Sequence, residues 1–332
     1  MKNFVVLGNS TDWCRFSLGD MKYVENAKVL NYTYPCPPKG FLTCLIRLHY
    51  SPRFKGIIPL KSIWYSYFCR HICSDRNSDL CLVIYDRNKI ANEVAFLLYL
   101  RSYFKNIKLV YMFTNVVRIS GANENNFIES LSHYYDVIYA FDPSDAIKYS
   151  FKYSPLIYSK NRNDNIVKNG VFYVGRAKDR FAMLISVFER LKELGIDRRF
   201  FVFNVPDNTQ VHTDEIIYNQ LIPYDKVLNY IEGADCLLDV IQGDSEGMTI
   251  KVCEAVFYDK LLITTNKKIK ELPFYSPDKI LVIDKLDDIN LSFFDNSKKI
   301  KYSKKDRDYF SVRGFISRLN QDLENNYKYI GD

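Results

Sequence analysis

At 332 residues, with 47% hydrophobic residues and a net charge of +7, the chain is long enough for two domains and can bury roughly three quarters of its unfolded surface. That hydrophobic share excludes a disordered chain, and a surplus of this size is too small to demand nucleic acid. No basic stripe with interleaved aromatics matches an RNA- or DNA-binding motif, no apolar run is long enough to span a bilayer, and the eight cysteines form no paired CxxC set that would suggest zinc.

The chain opens on a strand, Asn3–Leu7, with no cleavable leader, so reduced thiols and a cytoplasmic protein are expected. Gly8-Asn9-Ser10-Thr11-Asp12 follows, where an α/β domain opens its ligand crevice. The G-x-G-x-x-G dinucleotide fingerprint is absent. Asp12 reads either as a turn former or as a carboxylate facing an interdomain cleft. Residues 27–32 suit a second strand, and Pro35 to Pro38 break the chain. Residues 41–73 are expected to be helical and are rich in bases and aromatics, including Arg47, His49, Arg53, Phe54, Lys55, Lys61, Trp64 and Arg70. They suit an amphipathic helix pair packed on the sheet, an acceptor channel, or a contact with an anionic membrane face.

Strands are expected at 80–85, 108–113 and 137–141, with helices at 90–104 and 127–135 between them. This alternation means a parallel sheet with crossover helices. Asp86, Asn115 and Asp142 fall at strand C-ends, where they are either turn caps or ligand-facing groups. Residues 158–170 are polar and turn-rich and read as an interdomain linker. A second α/β domain begins at Val171–Val174, followed by Gly175-Arg176-Ala177-Lys178-Asp179-Arg180. A glycine and three bases after a first strand suit a diphosphate cradle, since glycine permits close approach and Arg and Lys neutralise phosphate. A helix over 181–194, a strand over 200–204 and a helix over 225–231 come next, the last preceded by Ile222-Pro223-Tyr224.

The stretch 237–266, L-L-D-V-I-Q-G-D-S-E-G-M-T-I-K-V-C-E-A-V-F-Y-D-K-L-L-I-T-T-N, organises the second domain. It reads as strand, glycine-bearing loop, helix from Met248 to Tyr258, and strand. A strand feeding a helix through such a loop aims backbone N–H groups at one point and attracts anions. Glu246 and Glu254, with seven residues between them, bracket the helix start. Thr249 and Lys251 in the first turn add a hydroxyl and a cation, a set suited to phosphates and sugar hydroxyls. The plain alternative is a helix-start charge at Glu246 and a solvated face at Glu254. A last strand is expected over 279–283 and a helix over 306–323, whose Asp306 and Asp308 look solvated.

This stretch resembles the donor-binding segment of GT-B glycosyltransferases, and is similar to a bacterial group of lipopolysaccharide and capsule assembly with the pattern L-D-I…Q/E-G-L-T-x-R/K-x-x-E-A…K-K-L-I-T-T-N…F-Y. The residues that match are Leu238, Asp239, Glu246 to Thr249, Lys251, Glu254, Ala255, Lys260, Leu262 to Asn266, Phe274 and Tyr275. Glu246 and Glu254 also resemble the E-x7-E motif of retaining members, without the aromatic and second glycine usual around its first Glu, so retention or inversion stays open. The segment Y-A-F-D-P-S-D-A-I-K-Y resembles the same group near the end of its first domain. The resemblance covers most of residues 130–285 and is thin before residue 80.

The resemblance implies an α/β GT-B fold, two Rossmann-like parallel-sheet domains facing a central cleft. The expected division is 1–157 for the acceptor domain, 158–170 for the linker, 171–305 for the donor domain, and 306–332 for a C-terminal helix crossing back to the first domain. It implies Gly175, Arg176, Lys178, Arg180, Tyr224, Gly247, Met248, Thr249, Lys251 and Glu254 as donor-binding residues. In this scheme Arg and Lys grip the diphosphate, Glu254 holds the ribose, and Tyr224 lies against the base. Glu246, toward the donor sugar, and Asp12, as general base ahead of Asp86, are the catalytic candidates. No metal or other cofactor is expected, since cations and helix N-termini can stabilise the leaving diphosphate. The expected partners are a nucleotide-diphosphate sugar, an oligosaccharide or lipid-linked acceptor, and the inner face of the membrane. A non-catalytic nucleotide or sugar-phosphate binding protein and a GT-B-like sugar epimerase are the alternatives.

Overall fold

The computed structural model describes residues 3–8, 11–31, 34, 40–51, 53, 60–86, 88, 90–117, 124–161, 165–243, 246–295 and 300–327. The expected break at Pro35 to Pro38 and the expected helical positions Phe54 and Lys55 lie outside the described residues, and so does the side chain of Asp12. The chain divides into two compact units, 1–154 with 316–332, and 155–315.

The first unit is built on a parallel sheet of six strands, β1 (Asn3–Leu7), β2 (Ala27–Leu30), β3 (Asp79–Tyr85), β4 (Asn106–Met112), β5 (Val137–Ala140) and β6 (Lys152–Tyr153), in the order β2-β1-β3-β4-β5-β6. Its central strands are buried almost throughout, so they read as continuous apolar runs, as a sheet covered on both faces requires. Phe68, Phe96 and Phe104 pack with them in one core. The expected helical stretch 41–73 resolves into the helix Phe41–His49, a 3₁₀ turn Lys61–Trp64 and the helix Tyr65–Ile72. The next helix runs Val94–Tyr103, because residues 90–93 are spent on turns before it. Asp142 is a helix cap, its carboxylate accepting from the Ser144 amide at 3.0 Å, and Asp86 accepts from the Thr114 hydroxyl at 2.8 Å.

The second unit repeats the plan with β7 (Asn169–Arg176), β8 (Arg198–Phe203), β9 (Ile217–Tyr218), β10 (Ala234–Asp239), β11 (Leu261–Thr264) and β12 (Ile280–Val282), ordered β12-β11-β10-β7-β8-β9, all parallel. The order reverses direction between β7 and β10, the place where sheets of this kind open a crevice beyond their strand C-ends.

The polar segment expected to link the domains groups with the second unit. Leu156, Ile157, Tyr158 and Ser159 are buried, and the Val167 amide donates to the Asn229 carbonyl at 3.1 Å. Gly233 ends the helix Tyr224–Gly233 beneath this segment, where an added Cβ would stand 1.9 Å from the Val167 carbonyl oxygen. A backbone that close leaves room only for glycine.

The C-terminal helix expected over 306–323 is two helices, Lys304–Phe310 and Val312–Tyr327. Ser311 between them is extended, and its hydroxyl accepts from the Gly314 amide at 2.9 Å. Asp306 belongs to a capping box, accepting from the Ser303 amide while its own amide donates to the Ser303 hydroxyl. Ser303→Ala is expected to destabilise the second unit by about 1 kcal/mol, read as a lowered Tm. Among the described residues no helix is long and apolar enough to cross a membrane.

Candidate donor site

The site grows from β10. Leu237 and Leu238 are wholly buried, and the strand ends in Asp239, also buried. A bare carboxylate there would be costly. Asp239 instead accepts from the Thr249 hydroxyl at 2.8 Å and the Thr264 hydroxyl at 3.1 Å. Thr249 is extended and caps the next helix, accepting from the Lys251 amide at 3.1 Å. The helix therefore runs Ile250–Tyr258, two residues shorter than the expected Met248–Tyr258, because the backbone at Thr249 cannot be helical. Asp239 thus ties the helix start to the ends of β10 and β11. Gly247 and Met248 lie buried ahead of the cap.

Glu254 sits in the second turn and is fully buried, so the solvated-face alternative does not hold. Its Oε1 accepts from the Tyr224 hydroxyl at 2.8 Å and its Oε2 from Lys251 Nζ at 3.3 Å. The Tyr224 hydroxyl also lies 3.1 Å from that of Tyr158, and Lys251 Nζ stands 5.8 Å from the centroid of the Phe172 ring. Tyr224 is the first residue of its helix and turns its hydroxyl to Glu254, a partnership that the sequence reading, with a nucleotide base in view, did not contain.

Burial pushes the carboxyl pKa of both Asp239 and Glu254 upward, against the pull of their hydroxyl and lysine partners. An acid whose pKa rises on folding binds its proton more tightly in the folded state. Its contribution is complete below the ordinary value of 4.5 and is lost as pH climbs through the raised value. Wild type is therefore expected to lose stability relative to Glu254→Gln as pH climbs from 4.5, measured by urea unfolding across a pH series. A difference independent of pH would contradict this assignment.

The loop after β7 meets the loop after β10. Lys178 Nζ donates to Gln242 Oε1, the Gly243 amide donates to Asp179 Oδ2 at 3.0 Å, and Arg180 donates to the Val240 carbonyl. Two of the three bases expected to grip a diphosphate thus reach the loop that feeds the Ile250–Tyr258 helix, on the same edge of the sheet. Lys178 does so with a φ of 47°, a left-handed backbone that costs a non-glycine residue about 1–2 kcal/mol. Arg176 is exposed at the end of β7. Gly175 is held by a local cause: an added Cβ would stand 2.7 Å from the Tyr173 hydroxyl.

Glu246 is half-exposed, with its carboxylate 3.9 Å from Lys268 Nζ and its carbonyl accepting from Asn266 Nδ2 at 3.2 Å. Asn266, nearly fully buried, also donates to the Gly247 carbonyl at 3.3 Å and so moulds the loop from the end of β11. Asp12 opens the short helix Asp12–Ser17 of the first unit. Sequence reasoning assigned no role to Asp239, Asn266 or Tyr158. Asp239 and Asn266 carried a signal in the matched stretch, as polar residues closing apolar strands, whereas Tyr158 carried none. Among the described residues no group of three or more His, Cys, Asp or Glu side chains is placed to hold a metal ion.

No protein-family model matches the sequence, and no curated protein matches it. Solved structures do resemble the fold. An α,α-trehalose 6-phosphate synthase from Burkholderia multivorans matches with a TM-score of 0.54 at 10% identity, over 99% of this chain and 98% of that one. The N-terminal domain of Candida albicans trehalose-6-phosphate phosphatase matches with 0.54 at 11%, over 98% and 99%. An α,α-trehalose-phosphate synthase (UDP-forming) from Burkholderia vietnamiensis matches with 0.50 at 10%, over 98% and 96%. Identities this low speak of fold alone, and the chain has the α/β GT-B fold with two Rossmann-like parallel-sheet units.

Proposed function

We propose that the protein is a glycosyltransferase that moves a sugar from a nucleotide-diphosphate donor bound by the second unit. The observation that carries this reading is the joining of the Arg176–Arg180 loop to the loop before the Ile250–Tyr258 helix at the strand-order reversal. Two bases and the loop that leads into a helix meet there, and bases with a helix N-terminus are the combination that can stabilise a departing diphosphate. The acceptor hydroxyl forms the new bond to the anomeric carbon as the bond from that carbon to the phosphate oxygen breaks. Nucleoside diphosphate leaves, and the hydroxyl proton passes to a base.

Lys178, Arg180 and Arg176 are the proposed charge partners of the leaving group, with the backbone at Gly247 to Thr249. Gly175, Met248 and Lys251 shape the donor pocket. Glu254 and Tyr224 form its ribose and base end, and Glu246 lies toward the sugar. Asp12 is the proposed base should the reaction invert. We read the transfer as independent of metal and its acceptor as a lipid-linked or oligosaccharide precursor of lipopolysaccharide or capsule, met at the inner face of the membrane. The resemblance of residues 237–266 supports that acceptor class, and solved proteins of like fold include a UDP-forming sugar-phosphate synthase.

Thermal shift with a panel of nucleotide-diphosphate sugars tests the donor, since a ligand at 100 times its Kd stabilises by about 2.7 kcal/mol. Transfer of labelled sugar to lipid-linked acceptors, sustained in EDTA, tests the reaction. Donor binding without turnover on any acceptor would instead favour a non-catalytic binding protein. Release of nucleoside diphosphate without a new glycosidic bond would point to an epimerase.

A further inference from the structure

The first unit carries a surface that the donor site does not use. On the helix Phe41–His49, Thr43 and Ile46 face inward while Phe41, Leu42 and Leu48 remain 76%, 48% and 41% exposed. A soluble helix places such residues on its buried stripe. Here apolar side chains occupy both faces. The 3₁₀ turn Lys61–Trp64 packs beside the end of this helix, with the Trp64 indole donating to His49 Nδ1 at 2.7 Å and Lys61 Nζ standing 5.8 Å from the centroid of the Tyr50 ring. It presents Leu60 and Ile63 at 69% and 56% exposure. Arg47 and Arg53 are exposed on the same segment, and Arg70 on the helix that follows. Between Glu25 and Asp75 the sequence has no carboxylate side chain at all, against seven Lys and Arg.

Large apolar side chains open to water, on a segment that carries bases and no carboxylate of its own, are the composition that inserts into the headgroup boundary of an anionic bilayer. We propose that the outer face of Phe41–His49 with Leu60–Ile63 is a docking surface for an anionic lipid membrane, Phe41, Leu42, Leu48, Leu60 and Ile63 entering the interface and Arg47, Arg53 and Lys61 meeting lipid phosphates. Charge complementarity selects this occupant. In a symmetric pairing of two copies the same bases would face each other with no acid of the segment between them. The surface belongs to the first unit alone, so it stands whether or not the second unit transfers sugar. Where transfer does occur, it brings the enzyme to lipid-linked acceptors.

The test is co-sedimentation of the full chain with phosphatidylcholine vesicles and with vesicles containing about one third phosphatidylglycerol. Binding is expected only to the anionic vesicles and should fall at least tenfold when salt is raised to about 0.5 M, where charges are screened within a few ångströms. Phe41→Ser with Leu48→Ser and Ile63→Ser should abolish it, and Arg47→Glu with Lys61→Glu should cut it at least tenfold. These are surface changes, and an unaltered Tm and unaltered thermal shift with nucleotide-diphosphate sugar would show both units intact. Equal binding to neutral and anionic vesicles, or binding unaffected by either set of changes, would overturn the proposal. Loss of a concentration-dependent dimer in the serine variant, without any lipid binding by wild type, would assign the face to a second copy instead.

Discussion

Replacing Glu254 by alanine is expected to destabilise the second unit by about 3–5 kcal/mol, the cost of leaving one member of a buried ion pair without its partner. Lys251, whose side chain is 10% exposed, would lose the carboxylate that it meets at 3.3 Å, and the Tyr224 hydroxyl would lose its acceptor. Removing both charges is a different matter. A buried pair exchanged for apolar groups of similar volume is often neutral or better, so Lys251→Met with Glu254→Leu should recover to within about 1–2 kcal/mol of wild type. Tyr224 then keeps the Tyr158 hydroxyl at 3.1 Å. Urea unfolding of Glu254→Ala, of Lys251→Met and of the double variant measures this. A double variant that is no more stable than Glu254→Ala would show that the three side chains are not coupled as described. The double variant also separates fold from function: stable protein without a nucleotide-sugar thermal shift places the Lys251–Glu254 pair in donor binding, whereas a preserved shift confines both to packing.

The largest effect on activity is expected at Lys178. If the two joined loops stabilise the leaving diphosphate, Lys178→Ala should lower the rate of transfer by about 10²–10³-fold, the range for losing one preorganised partner of developing charge. Lys178 is exposed and its loss removes the hydrogen bond to Gln242, so stability should fall by no more than about 1.5 kcal/mol. Arg180→Ala should lower the rate and Tm together, because that guanidinium also ties the β7 loop to the Val240 carbonyl. Single-turnover transfer with each variant decides the matter, and a Lys178→Ala rate within threefold of wild type would remove this side chain from the mechanism.

The outcome at the Ile250–Tyr258 helix shows what a linear reading can and cannot reach. Turn residues before it and apolar spacing within it made the helix legible, because both act over a few residues. Its start was misread by two positions, since Thr249 leaves the helix to bond Asp239, ten residues earlier. Glu254 looked equally like a ligand and a solvated charge. Its burial depends on Tyr224, thirty residues away, and on the packing of two helices against one sheet.

By itself the sequence determined the alternation of strands and helices, the parallel sheets that follow from it, and the placing of glycines and bases just past strand ends. Hydrophobic period and turn chemistry are local, so they survive in a linear reading. Tertiary structure alone decided that residues 158–170 group with the second unit, that the expected return to the first unit starts at Ile316 and not at residue 306, and that Lys178 meets Gln242, 64 positions later. Crossover connections make neighbours of β7 and β10, and only the order in which strands pack chooses which distant loops share an edge.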